Sequence, residues 1–110
     1  MLSGWTALIV AGCFEVGFTS FLKLSDGFTR PIYVALFIIT AALSFAALSI
    51  AVRTIPLGTA YAVWTGIGAF GTAIVGMAFF KDPASLPRLF FLGTLILSII
   101  GLKLVSSEPS

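Results

Sequence analysis

The chain alternates long apolar runs with short polar breaks. Four runs stand out, over residues 5–22, 32–52, 57–80 and 86–105. The breaks are Ser25-Asp26-Gly27, Thr54-Ile55-Pro56 and Lys81-Asp82-Pro83, all turn-forming compositions. Each run has the roughly 20 residues that a helix needs to cross the hydrocarbon core of a bilayer. Helices satisfy their own backbone groups in lipid, and the runs lack the in–out alternation of barrel strands. The pattern predicts an all-α membrane protein with four transmembrane helices, a single domain over residues 1–110. The first run reads as a span rather than a secretory leader, because no basic segment precedes it and no cleavage-type sequence follows.

Composition agrees with that reading. Charged residues make up 9% of the chain and apolar residues 59%, against about 25% charged in a soluble domain. The mean hydropathy is +1.16. The net charge of +2 comes from cations spread over loop ends, where they suit lipid headgroups, and no basic stripe points to nucleic acid. Lys23 and Arg30 follow the first run and Lys81 and Arg88 the third, whereas Arg53, Lys103 and the amino terminus fall on the opposite side. The positive-inside rule places both termini outside, by a margin that barely commits the chain to one orientation. There is no His, no nucleophile–base pair and no metal-ligand cluster, so neither an enzyme nor a metal site is expected. Gly66, Gly68 and Gly71 mimic half of a dinucleotide fingerprint, but inside an apolar span with no preceding strand the match is spurious. Cys13 reads as a small core residue.

Against this background Glu15 is the informative residue. It is the only acidic side chain inside the apolar runs, and the surrounding GWTALIVAGCFEVGFTSFL offers no cation. A lone charge there costs at least a few kcal/mol, about 2.5–3.5 on insertion scales. It persists if it is protonated, faces a polar cavity or binds something positive. Helical spacing puts Ala11, Gly12, Phe18 and Thr19 on its face. Gly12 either leaves room beside the carboxylate or serves close helix packing. Thr19 is expected to bond its own helix backbone. The second run has a small-residue face of Ala41, Ser44, Ala47, Leu48 and Ala51; Ser44 bonds either its own backbone or the site. In the third run Tyr61 and Trp64 share a face, with Gly68 and Gly71 roughly in line. Trp64 lies too deep for an interfacial belt, so its indole N–H needs an acceptor, and Glu15 is the candidate. In the fourth run Gly93, Leu97 and Gly101 share a face suited to helix association.

Taken together, Glu15 within FEV in the first of four short spans, the Ser44 region, PLGTAYAVWTGIGAFG and the late GLK resemble the small multidrug resistance family over essentially the whole chain. AYAVWTGIG looks more like the guanidinium-exporter subtype than the polyaromatic-cation subtype, which tends to carry Ser where this chain has Thr65. The resemblance implies an antiparallel, dual-topology dimer in the inner (plasma) membrane. It implies proton-coupled antiport of guanidinium or small substituted guanidinium-type cations, with no cofactor beyond protons as the coupling ion. Glu15 would carry proton and substrate, with Gly12, Ser44, Tyr61 and Trp64 lining or orienting it. Phe18 departs from the subtype, which usually has Trp there; it would border the portal, with one N–H donor fewer. An exporter of quaternary ammonium or other hydrophobic cations is the alternative, as is one subunit of an unlike pair with a paralogue.

Overall fold

The computed structural model describes residues 3–105. Residues 1–2 and 106–110 lie outside the described residues, and with them the amino terminus counted in the charge balance and both ends of the 1–110 domain. Four helices form: α1 Gly4–Leu24, α2 Pro31–Ala51, α3 Leu57–Phe79 and α4 Leu86–Val105. All four are long and apolar enough to cross a membrane. The expected runs differ from the helices by at most two residues, as at residue 22 against Leu24.

Local chemistry sets the helix ends. The Ser3 hydroxyl caps α1 by accepting the Thr6 amide at 3.1 Å, a normal N-cap bond. Pro31 opens α2, where its missing N–H costs nothing. Between α1 and α2, Asp26, Gly27 and Phe28 all take positive φ. The buried Ser25 hydroxyl accepts the Phe28 amide at 3.2 Å and so holds the turn.

In the bundle α1 packs against both α2 and α3, while α4 leans on α3. The core is built largely from small residues: Ala7, Leu8 and Ala11 of α1 meet Ala47 and Ala51 of α2 and Ala60 and Val63 of α3. Small side chains let helix backbones approach closely, which is how helices associate in lipid. The small-residue face of α2 is thus turned inward, with Ser44, Ala47 and Ala51 buried. Gly12 is buried against Ile67 of α3; a Cβ at Gly12 would lie 2.8 Å from the Ile67 Cβ. Cys13 departs from the core position expected of it. It is exposed, on the side of α1 that neither α2 nor α3 covers. No residue of α4 is buried, and nothing lies within 4 Å of a Cβ built on Gly93 or Gly101.

Candidate functional site

Glu15 sits midway along α1, on the side that packs against α3. Its carboxyl group rests directly on Gly68, and a Cβ there would overlap it. Glu15 Oε1 is buried and has no hydrogen-bond partner. A cavity of about 450 Å³ opens beside the carboxyl, lined by Thr19, Thr65, Thr72, Asp82 and Arg88 among others. A buried polar atom without a partner ordinarily costs about 1–3 kcal/mol, and more when charged. Here the carboxyl that carries the unpartnered oxygen borders a space large enough for a ligand.

The expected link from Trp64 to Glu15 is replaced by another. The Trp64 indole, 7% exposed, donates through Nε1 to Ser44 Oγ at 3.0 Å. Ser44, fully buried, donates in turn to the Ala11 carbonyl at 2.7 Å. Ala11 is four residues before Glu15, so its carbonyl is also the helical acceptor of the Glu15 amide. The three-residue chain therefore ties α3 and α2 to the turn of α1 that carries the carboxylate. Trp64 and Ser44 position the helix rather than the carboxyl group. Ser44 does this by bonding across helices, not to its own backbone.

Gly12 serves the α1–α3 packing and is not among the residues lining the cavity. Tyr61 is 57% exposed and tilts against Trp64 at 5.9 Å between ring centroids; it does not line the Glu15 cavity either. Phe18 lies in an aromatic cluster, edge-on to Phe37 at 5.9 Å and stacked on Phe45 at 6.3 Å. Phe45 continues the cluster to Trp64 at 5.3 Å. Thr19 donates to the Val16 carbonyl at 3.0 Å, as expected, and also pairs with the Thr72 hydroxyl at 2.7 Å.

Sequence reasoning missed Gly68 as the bed of the carboxylate, and it missed Thr72. The signal for both was helical spacing: Gly68, Thr72 and Gly76 repeat every four residues along α3. Among the described residues no group of His, Cys, Asp and Glu is arranged to hold a metal ion.

Four spanning helices around one acidic group in an apolar interior define a small multi-pass integral membrane protein. A family model described as Small Multidrug Resistance protein matches residues 3–96. The chain belongs to that family. It is 49% identical over 100 residues to a guanidinium exporter of Citrobacter freundii, covering 91% of this chain and 95% of that protein. It is 46% identical over 102 residues to a guanidinium exporter of Yersinia pestis, covering 93% and 98%. A guanidinium exporter of Salmonella typhimurium is likewise 49% identical over 100 residues.

Proposed function

We propose that this protein exports guanidinium-type cations across the inner membrane in exchange for protons, with Glu15 binding each in turn. The observation that carries this reading is the Glu15 carboxyl on the wall of an open cavity, with Oε1 buried against Gly68 and without a hydrogen-bond partner. Guanidinium is planar and offers paired N–H donors, which match a carboxylate in a two-point hydrogen bond. A proton takes the same carboxyl group. The two ligands therefore exclude one another at one group, and that exclusion is the root of exchange. The names of the relatives support the choice of cation.

The site works as a shared one in an antiparallel pair of chains. Two inverted copies around a central site interconvert inward- and outward-facing shapes, the logic of inverted-repeat transporters. The largely exposed α4 and the open faces of Gly93 and Gly101 supply a surface for such pairing. Bulkier quaternary cations form a second reading, favoured by the Phe18–Phe45–Trp64 cluster. They carry no N–H donors and depend on ring faces.

The test is transport in proteoliposomes loaded with a pH reporter. A guanidinium gradient is expected to drive proton movement in the wild type. Glu15→Gln, which can neither take up and release a proton nor pair with a cation, is expected to abolish guanidinium-driven proton movement. Unchanged transport by Glu15→Gln sinks the mechanism. Tetraalkylammonium transport without guanidinium transport establishes the second reading instead.

A further inference from the structure

Gly68, Thr72 and Gly76 share one face of α3, and each meets a polar group from elsewhere in the chain. The Glu15 carboxyl lies on Gly68, the Thr19 hydroxyl is 2.7 Å from that of Thr72, and the Asp82 carboxyl lies on Gly76. At 1.5 Å of rise per residue, the two carboxyl groups stand about 12 Å apart along the helix, with the hydroxyl pair midway. The Glu15 cavity reaches Thr19, Thr72 and Asp82, and a second cavity of about 140 Å³ is lined by the same three residues.

The backbone holds Asp82 at the outer end of this row. Lys81 takes φ of 62°, a left-handed conformation uncommon outside glycine. That turn brings the amides of Phe80 and Asp82 to one acceptor, the Gly76 carbonyl, at 2.9 and 3.0 Å. The Asp82 carboxylate then faces Arg88 Nη2 at 3.9 Å. This is about 1 Å longer than a charge-assisted hydrogen bond, so the pair is loose. Arg88 Nε is buried and has no hydrogen-bond partner. Arg88 thus sets beside Asp82 the planar cation that the proposed function assigns to the substrate, on the wall of the cavity that holds Glu15.

The hydroxyl pair has the matching polarity. Thr19 gives its one hydroxyl proton to the Val16 carbonyl at 3.0 Å. The proton between the two threonines therefore comes from Thr72. Both hydroxyl protons are then spent, and the pair offers only lone pairs to the row. From Asp82 to Glu15 the row along α3 consists of acceptors, with the cations Lys23 and Arg88 lining the cavities beside it; acceptors in line suit a cation carrying only N–H donors.

We propose that Asp82 is an outer binding station for guanidinium-type cations, loosely paired with the Arg88 side chain when empty, from which the ion passes along Thr19 and Thr72 to Glu15. The proposal rests on the guanidinium reading given above. An arriving ion takes the place of the Arg88 group on Asp82.

The two partners of the pair act in opposite directions, which gives the test. Guanidinium-driven proton flux is measured in proteoliposomes over a range of guanidinium concentrations. Asp82→Asn is expected to raise the KM about fivefold, the worth of one partly exposed ion pair, with maximal rate kept within about twofold. Arg88→Gln removes the resident competitor and lowers the KM. Asp82→Glu keeps the charge and stays near the wild type, which separates a lost charge from a damaged turn. A purely structural ion pair moves Asp82→Asn and Arg88→Gln in the same direction, and that result overturns the proposal. So does an unchanged KM in Asp82→Asn while the wild type transports guanidinium. A wild type that moves no guanidinium overturns the parent reading, and the station with it.

Discussion

Ser44→Ala tests the chain of bonds that positions Glu15. The substitution removes one oxygen atom from a fully buried place and adds none. Two interhelical bonds vanish together, Trp64 Nε1 to Ser44 at 3.0 Å and Ser44 to the Ala11 carbonyl at 2.7 Å. The Ala11 carbonyl keeps its helical partner. The indole N–H, in a side chain 7% exposed, keeps none. Interhelical hydrogen bonds in membranes average about 0.6 kcal/mol, and two of them give roughly 1.2 kcal/mol. The stranded donor adds to this, so the expected cost is about 1–2 kcal/mol.

The assay is reversible unfolding in mixed micelles, with Trp64→Phe and the double variant completing a cycle. Trp64→Phe alone also loses ring packing against Phe45 and Tyr61, so its single value is not diagnostic. The coupling is diagnostic. If the indole bonds Ser44, the double variant is less destabilised than the sum of the singles by about 0.5–1 kcal/mol. Additive effects would falsify the bond. Ser44→Ala is also expected to slow transport, since the turn of α1 carrying Glu15 loses its tie to α2 and α3.

Gly68→Ala places a methyl group where the Glu15 carboxyl rests, so guanidinium-driven flux is expected to fall at least about tenfold, the equivalent of 1.4 kcal/mol at the site. Wild-type flux would mean that the carboxyl works elsewhere. Gly12→Ala collides with Ile67 and is expected to destabilise the fold by about 1–3 kcal/mol through overpacking. Adding Ile67→Ala restores part of that in the same unfolding assay, whereas no rescue contradicts the contact. Phe18→Trp returns an indole to the aromatic cluster beside Phe37 and Phe45. It is expected to shift the ratio of guanidinium to tetraalkylammonium transport by a few-fold, while an unmoved ratio removes Phe18 from the specificity of the site.

The spans were legible because bilayer thickness imposes a length that apolar runs display directly. Glu15 was legible because its cost in lipid makes it conspicuous whatever surrounds it. The acceptor of Trp64 was not. Helical spacing tells which residues share a face, but not how far one helix is offset along the next. A shift of a few ångströms decides between Ser44 and Glu15. Cys13 failed for another reason. In a soluble helix the polar face marks the outside, whereas in a membrane helix lipid-facing and core-facing positions are both apolar. Nothing in the residues around Cys13 says which side α2 and α3 occupy. Gly68 and Gly76 were visible as glycines on one face. That a carboxyl group lands on each depends on the α1 contact and on the left-handed turn at Lys81.

The geometry also accounts for a carboxyl group that stays open to a ligand although hydroxyls and an indole are carried on the same helices. Each of those donors is already engaged. Thr19 and Ser20 donate to the Val16 carbonyl, Thr65 to that of Tyr61, and Ser44 to that of Ala11. Trp64 donates to Ser44. Had Trp64 reached Glu15, as its depth in the span suggested, the site would hold a neutral donor in place, and an incoming cation would first have to displace it. With the indole on Ser44, Glu15 Oε1 and Arg88 Nε are the two buried side-chain polar atoms without partners among the described residues, and both belong to residues that line one cavity. The first is the acceptor that a guanidinium-type ion or a proton would satisfy. The second belongs to a guanidinium group of the chain itself. Under the proposed function, reach would favour the free ion over the tethered one at Glu15: Arg88 is anchored near the start of α4, beside Asp82, while the Glu15 carboxyl lies at the level of Gly68, about 12 Å along α3 from that of Gly76.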